Sequence, residues 1–174
     1  IDIDRYCPDN HQRATGAPFR LLYVGSWMAR KGVDLLAPVL RELGPGFELH
    51  YTGGPAAAPD KARMPPNMHD IGRLQGADAV IAAMQDADAL LFPSRSEGHP
   101  LVVVEAMACG LPVIGTQGTP VEEVLRHGHT GLLCPPNDVP ALASAARTLA
   151  AAPALRQTLA RSARVDVVER FAEG

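Results

Sequence analysis

The sequence has few of the features that mark nucleic-acid-binding or membrane proteins. Its formal net charge is −3 and its lysines and arginines form no basic stripe, so no nucleic acid partner is expected. Only 5% of the residues are aromatic, which leaves little material for a base-stacking surface. Its apolar runs are far shorter than the roughly 20 residues that cross a bilayer, and the first residues do not resemble a signal peptide.

Cysteine is also scarce. Cys7, Cys109 and Cys134 form no CxxC pair, and an odd, sparse set is typical of a reducing compartment. We therefore expect free, buried thiols and a cytoplasmic protein. His127 and His129 flank a glycine in a turn-like stretch and are expected to face solvent, so the sequence predicts no metal site.

What is present is an alternation of strand-like and helix-like segments. The predicted strands are 19–26, 47–54, 68–72, 88–94, 111–116 and 130–136. The predicted helices are 31–43, 76–87, 100–109, 119–128, 139–152 and 153–171, and 58–67 is a proline-rich loop. This βα alternation predicts an α/β, Rossmann-like three-layer fold with a mostly parallel sheet of about six strands.

The segment 100–109 is predicted to be a helix, although its valines alone favour a strand. Pro100 suits a first helical position and Gly110 suits a helix end. A strand follows at once at 111–116, and two parallel strands need a crossover between them. These considerations favour a helix.

Ligands of such sheets bind at the carboxyl ends of the strands, which directs attention to the loops there. In "GSWMARKG", Arg30 and Lys31 precede or open a helix, where cations oppose the macrodipole by roughly 0.3–1 kcal/mol each. A bound phosphate would reverse that penalty, whereas the alternative is that both side chains face water. The glycine pair Gly53-Gly54 either approaches a ligand or forms a plain turn. Walker A and GxGxxG patterns are absent, which disfavours a dinucleotide-dependent oxidoreductase.

The stretch "EGHPLVVVEAMACG" places Glu105 inside an apolar helix, and an unpartnered buried carboxylate costs several kcal/mol. Sugar or ribose hydroxyls could satisfy it, and an internal salt bridge to an arginine is the alternative. The free amides of Leu101 and Val102 at the start of this helix could hold a phosphate. Thr119 and Glu122 have capping-box spacing, which predicts a structural role for Glu122.

At these residues a family resemblance emerges. The sequence resembles the C-terminal half of retaining GT-B glycosyltransferases of family 4, the glycosyl transferases group 1. "LLYVGSWMARKGVDLL" is similar to the family's strand–loop–helix, and "ALLFPSRSEGHPLVVVEAMACGLPVIGT" to its E-x7-E signature, here Glu97 and Glu105. "GTPVEEVLRHGHTGLLCPPND" is similar to the closing motif, and "IDIDRYCPD" to the inter-domain linker.

The resemblance implies that this domain binds a nucleotide-sugar donor such as a UDP- or GDP-sugar, without a metal or other cofactor. Lys31 would hold the diphosphate together with amides near His99, Leu101 and Val102. Glu97 would contact the transferred sugar, so Glu97 and Lys31 are the implied catalytic residues. Lysine and helix amides would stabilise negative charge on the leaving diphosphate.

The remaining implied contacts concern the nucleoside. Glu105 would accept the ribose hydroxyls, and Gly72, Arg73 and Leu74 would lie by the base. With the loop residues Gly25, Arg30 and Gly54 added, the predicted donor-binding set is Gly25, Arg30, Lys31, Gly54, Gly72, Arg73, Leu74, His99, Leu101, Val102 and Glu105.

The resemblance also implies a domain organisation. Residues 1–18 would be the inter-domain linker and 19–174 the nucleotide-sugar-binding domain. Because the chain begins with Ile1 and lacks the family's N-terminal acceptor-binding domain, we expect a fragment of a longer protein that is inactive alone. Any membrane contact, at the inner face of the membrane, would then come through the missing domain.

Two departures from the family pattern concern phosphate binding. The family usually has Gly-Arg after the first strand, where this chain has Gly25-Ser26. Either Arg30 replaces that arginine or the site binds phosphate less strongly. The family often has Phe-Gly where this chain has His99-Pro100, which changes the local amide geometry and makes the His99 side chain a further candidate donor.

Two other functions remain open at this point. One is a GT-B-like nucleotide-sugar epimerase, against which the Glu97–Glu105 spacing favours a transferase. The other is a non-catalytic α/β nucleotide-binding module of receiver or flavodoxin type. A receiver would need an acidic cluster after its early strands, where this chain has Ser26 and Gly53-Gly54.

Overall fold

The computed structural model describes residues 1–9, 13–98 and 100–172. In these residues, six parallel strands form one sheet in the order β3-β2-β1-β4-β5-β6. The strands are β1 Phe19–Tyr23, β2 Phe47–Tyr51, β3 Met68–Asp70, β4 Ala89–Leu91, β5 Val113–Thr116 and β6 Leu132–Cys134. The predicted fold class is confirmed, with helices on both faces of the sheet.

Within the described residues, five α-helices cover the sheet: α1 Leu36–Leu43, α2 Gly76–Gln85, α3 Leu101–Ala108, α4 Val139–Ala151 and α5 Pro153–Phe171. One apolar cluster joins the sheet to α1 and α4, and a second joins its other face to α2 and α3. α5 packs against α3 and α4 and contributes to both clusters. Within the described ranges, no helix combines the length and apolarity that a membrane span requires.

The order of the strands reverses between β1 and β4, which pair through Leu21–Ala89 and Leu22–Leu90. From β1 the chain proceeds outward to β2 and β3, then crosses back to β4 and continues outward to β6. The loops that follow β1 and β4 therefore lie side by side at the carboxyl edge of the sheet. Such a switch point is where doubly wound sheets form their ligand crevice.

The predicted helix at 31–43 is wrong in its first half. Two 3₁₀ turns, Ala29–Lys31 and Val33–Leu35, precede α1. They are separated by Gly32, whose φ of 76° is left-handed and which packs so tightly that a Cβ there would lie 2.1 Å from the carbonyl oxygen of Pro93. Only glycine fits this contact between the loops after β1 and β4.

Two further segments also differ from prediction. The predicted helix at 119–128 is only a 3₁₀ segment, Pro120–Glu123, although the Thr119 hydroxyl does cap it by accepting from the amide of Val121 at 3.3 Å. The chain then turns tightly, because the Thr130 hydroxyl accepts from the amide of Arg126 at 2.8 Å. The predicted loop at 58–67 lies partly in 3₁₀ turns that span Gly54–Arg63.

Residues 1–9 pack along the domain surface. Arg164 of α5 donates to the carbonyls of Tyr6 at 2.7 Å and Ile3 at 3.0 Å, and Gln85 of α2 donates to the carbonyl of Cys7 at 2.9 Å. The division of the chain into a linker at 1–18 and a domain at 19–174 stays a prediction. Cys7, Cys109 and Cys134 are free thiols, and the last two are buried as expected.

Candidate functional site

A crevice of about 660 Å³ opens at the carboxyl ends of β1, β2 and β3. The residues that line it include Gly25, Trp27, Thr52, Gly53, Arg73 and Leu74. Its walls are joined through Thr52, whose hydroxyl accepts from the amide of Gly25 and donates to its carbonyl, both at 2.9 Å. Gly25, Arg73 and Leu74, of the predicted donor-binding set, thus face one cavity.

The two predicted catalytic side chains meet at the same edge of the sheet. Lys31 Nζ lies 2.6 Å from Glu97 Oε2, and the two side chains are only 15% and 9% exposed. The buried Ser94 hydroxyl lies 3.3 Å from the same Glu97 oxygen and donates to the carbonyl of Ser96 at 3.0 Å. The pair is therefore fixed by its surroundings. A lysine ammonium has three donors, so this contact leaves others for a ligand.

Arg95, which the sequence argument did not single out, holds the loop that carries Lys31. Its guanidinium forms a bidentate pair with Asp34 at 2.6 and 2.7 Å. It also donates to the Ala29 carbonyl at 2.6 Å, while the Arg95 amide donates to the Arg30 carbonyl at 2.8 Å. The hydrogen bond from Arg95 holds the pKa of Asp34 below its usual value. The Arg30 side chain itself is exposed.

Glu105 points from α3 into a nearly closed environment, with 8% of the residue exposed. Burial raises the pKa of its carboxyl, and a hydrogen bond with the Tyr6 hydroxyl acts in the opposite direction. Burial, followed by the contact with Glu105, raises the pKa of Tyr6 to about 12. In the part of the chain that the structure describes, no arginine or lysine forms an ion pair with Glu105, so the salt-bridge alternative is wrong there.

The amino end of α3 is open as expected. The amides of Val103 and Val104 donate to the Pro100 carbonyl at 3.1 and 3.2 Å, whereas those of Leu101 and Val102 have no acceptor among the described residues. Among the described residues no side chain caps this end, and the first turn of α3 has no acidic residue. Leu101 is 51% exposed, so the free amides lie near solvent. His99 lies outside the described residues.

Gly54 and Gly72 come together, but around a protein carboxylate. Their amides donate to Asp70 at the end of β3, with N–O distances of 3.1 and 2.8 Å. Gly53 does the same at 3.2 Å. The glycines predicted to approach a ligand therefore use their amides to shape the loops after β2 and β3. Asp70 could not be identified from the sequence, because a lone Asp in a short strand gives no distinctive pattern.

Comparisons with known proteins identify a family. Residues 18–152 match the family described as "Glycosyl transferases group 1". The chain is 34% identical to the glycogen synthase of Mycobacterium tuberculosis, over 98% of this chain and 43% of that protein, so it spans less than half of that relative.

Solved structures show the same fold. The sucrose-phosphate synthase of Thermosynechococcus elongatus superposes with a TM-score of 0.86 at 26% identity, over 99% of this chain and 47% of that one. HepE of Anabaena, solved in complex with UDP-glucose, superposes with a TM-score of 0.86 at 19% identity, over 99% of this chain and 52% of that one.

Proposed function

Because the chain belongs to the glycosyl transferases group 1 family and has the fold of a C-terminal GT-B domain, we propose that it binds the donor of a retaining glycosyltransferase. The donor would be a nucleoside diphospho-sugar, and the reaction would transfer a hexosyl group to an acceptor hydroxyl. Glycan, lipopolysaccharide or glycolipid synthesis would use such a reaction. Family membership favours this proposal over the epimerase and the non-catalytic binding module.

One observation carries the proposal: the largely buried Lys31–Glu97 pair lies at the carboxyl edge of the sheet, where the first amides of α3 also have no acceptor among the described residues. A cation and unpaired helix amides at one place are suited to a diphosphate. The carboxylate beside them is suited to a sugar hydroxyl. The crevice that contains Arg73 and Leu74 then offers room for the base farther along the same edge.

The proposed chemistry follows from where charge develops. As the glycosidic bond to the diphosphate breaks, negative charge grows on the leaving phosphate and positive charge on the sugar. The Lys31 ammonium and the amides of Leu101 and Val102 would stabilise the leaving group, and Glu97 would contact the sugar. The new bond would form with retention. We propose that no metal or other cofactor takes part, since lysine and helix amides supply the positive charge.

The departures from the family pattern bear on this step. The position after Gly25 is Ser26, so the phosphate arginine of the family is missing there. The guanidinium of Arg95 is engaged by Asp34 and by Asn137, whereas the exposed Arg30 lies on the same loop as Lys31. We propose that Arg30 supplies the missing cation once a donor is bound.

The whole protein would contain more than this chain. The chain spans 43% of its mycobacterial relative, and we propose that an acceptor-binding N-terminal domain completes the enzyme. That domain would provide catalytic groups and any membrane contact, at the cytoplasmic face. This chain alone would then bind donor without transferring sugar.

Calorimetric titration of the 174-residue chain with UDP-, GDP- and ADP-sugars tests the proposal. We expect saturable binding of at least one nucleotide sugar and of its nucleoside diphosphate, with no transfer to added acceptors. The nucleoside without phosphate is the matched control and should bind much more weakly. Absence of saturable binding by every nucleoside diphosphate would overturn the proposal. An absorbance scan tests the flavodoxin-type alternative, because a bound flavin would colour the protein.

A further inference from the structure

Asp70 is a heavily hydrogen-bonded carboxylate near the crevice, and the proposed chemistry leaves it without a role. It accepts from the amides of Gly53 at 3.2 Å, Gly54 at 3.1 Å to both oxygens, and Gly72 at 2.8 Å. Lys61 Nζ lies 2.9 Å from its second oxygen. Its side chain is only 12% exposed.

These contacts join two loops. Gly53, Gly54 and Lys61 belong to the loop after β2, whose 3₁₀ turns run from Gly54 to Arg63, and Gly72 follows β3. The packing is tight, since a Cβ on Gly53 would lie 2.9 Å from Asp70 Oδ2 and 2.7 Å from the Ala57 Cβ. A longer side chain at position 53 or a shorter one at position 70 would therefore change the distance between the two loops.

The carboxylate is ionised at neutral pH. Desolvation alone would raise the pKa of Asp70, but the hydrogen bonds from Gly54, Lys61, Gly72 and Gly53 outweigh it and hold the pKa below its usual value. A charged acceptor suits this place, because several donors converge on it and each hydrogen bond to an ionised group is stronger than a neutral one. Protonation would remove one of the acceptor sites.

Both loops that Asp70 joins reach the crevice. Gly53 and Ala56 come from one side and Arg73, Leu74 and Gln75 from the other, directly after Gly72. The loops are thus held at their spacing by the protein's own carboxylate. A wall that is formed in advance lowers the ordering cost of binding.

We propose that Asp70 is a positioning residue that fixes the wall of the donor crevice on the side of the nucleobase. The inference rests on the proposed donor site and identifies the residue that shapes its nucleoside end. Asp70 does not touch the donor; it acts through the loop of Arg73 and Leu74. The diphosphate end, at Lys31 and α3, does not depend on it.

Because Asp70 is proposed to affect the nucleoside end of the site and not the diphosphate end, the test compares a nucleoside diphosphate with inorganic pyrophosphate. Asp70→Asn keeps the shape of the side chain but replaces one acceptor oxygen by a donor that faces other donors. We expect it to weaken the binding of UDP, GDP or ADP, whichever the wild type binds, about 10-fold through lost preorganisation. The affinity for inorganic pyrophosphate should stay unchanged. Asp78→Asn is the matched control: it makes the same substitution at a carboxylate that is 87% exposed and pairs with the 50%-exposed Arg5, so neither affinity should change by more than about 3-fold.

Equal binding of nucleoside diphosphate by wild type and Asp70→Asn would overturn the inference, and so would an equal loss for both ligands, which would indicate a general structural role.

Hydrogen exchange of the ligand-free wild type gives a check that needs no variant. The amides of Gly53, Gly54 and Gly72 should be protected, and rapid exchange at all three would overturn the positioning role. A wild type that binds no nucleotide would instead contradict the proposed function.

Discussion

Lys31→Met is expected to lower the free energy of unfolding by about 3 kcal/mol, because it leaves Glu97 largely buried without its partner. The Ser94 hydroxyl, 3.3 Å from the same carboxylate oxygen, cannot replace a cation. The substitution should also weaken nucleoside diphosphate binding at least about 10-fold, since it would remove the proposed charge-assisted contact to phosphate. Urea unfolding and calorimetric titration measure the two effects separately.

The double variant Lys31→Met/Glu97→Gln separates the two consequences. Removing both charges should restore much of the lost stability, because no buried charge is left unpaired, while nucleotide binding stays weak. Arg5→Met is the matched control, since the Arg5–Asp78 pair is 50% and 87% exposed and its loss should leave stability nearly unchanged. A Lys31→Met protein as stable as the wild type, with unchanged nucleotide affinity, would show that the pair has neither role.

Glu105→Gln should change stability and binding in opposite directions. Burial raises the pKa of Glu105, so the folded state favours the protonated carboxyl and its ionisation opposes folding. The stability linked to this group is complete below its ordinary pKa of 4.5 and is lost as the pH rises through the raised value. Glutamine removes that loss, so we expect unfolding at pH 7 to cost about 1 kcal/mol more than in the wild type.

The affinity of the Glu105→Gln protein for nucleotide should fall, because a carboxylate accepts hydroxyl donors more strongly than an amide does. If Glu105 receives the ribose hydroxyls, its loss should cost about 1.5–3 kcal/mol, or roughly 10- to 100-fold in nucleotide affinity. Glu42→Gln, on the exposed surface of α1, is the control and should alter neither quantity. A Glu105→Gln protein that is less stable and binds nucleotide normally would assign Glu105 a purely structural role with Tyr6.

The architecture could be predicted from the sequence because it depends on local patterns and chain order. The strand–helix alternation indicated six parallel strands, and the need for a crossover before β5 identified α3 despite its valines. The prediction of one helix over 31–43 was wrong because Gly32 adopts a left-handed conformation against Pro93. This contact between two loops is not visible in the helical spacing of the sequence.

Residues of the candidate site could be identified in the sequence where a family motif contains them, and not where loops that are distant in the chain meet. Lys31 and Glu97 came from the family pattern, and the structure brings them together. Arg95 and Asp34 are 61 positions apart in sequence, and their pairing depends on the adjacency of β1 and β4. Tyr6, the partner of Glu105, lies in a segment predicted only as a linker, so its contact with α3 had no local signal.

A crystal structure of this chain with bound UDP-glucose would show whether the donor lies at the carboxyl edge of the sheet. We expect diphosphate oxygens within hydrogen-bonding distance of Lys31 Nζ and the α3 amides, ribose hydroxyls on Glu105, and the base beside Arg73 and Leu74. The proposed donor site would be contradicted by a nucleotide bound away from the carboxyl edge of the sheet, with Lys31 still held by Glu97 alone and Glu105 by Tyr6.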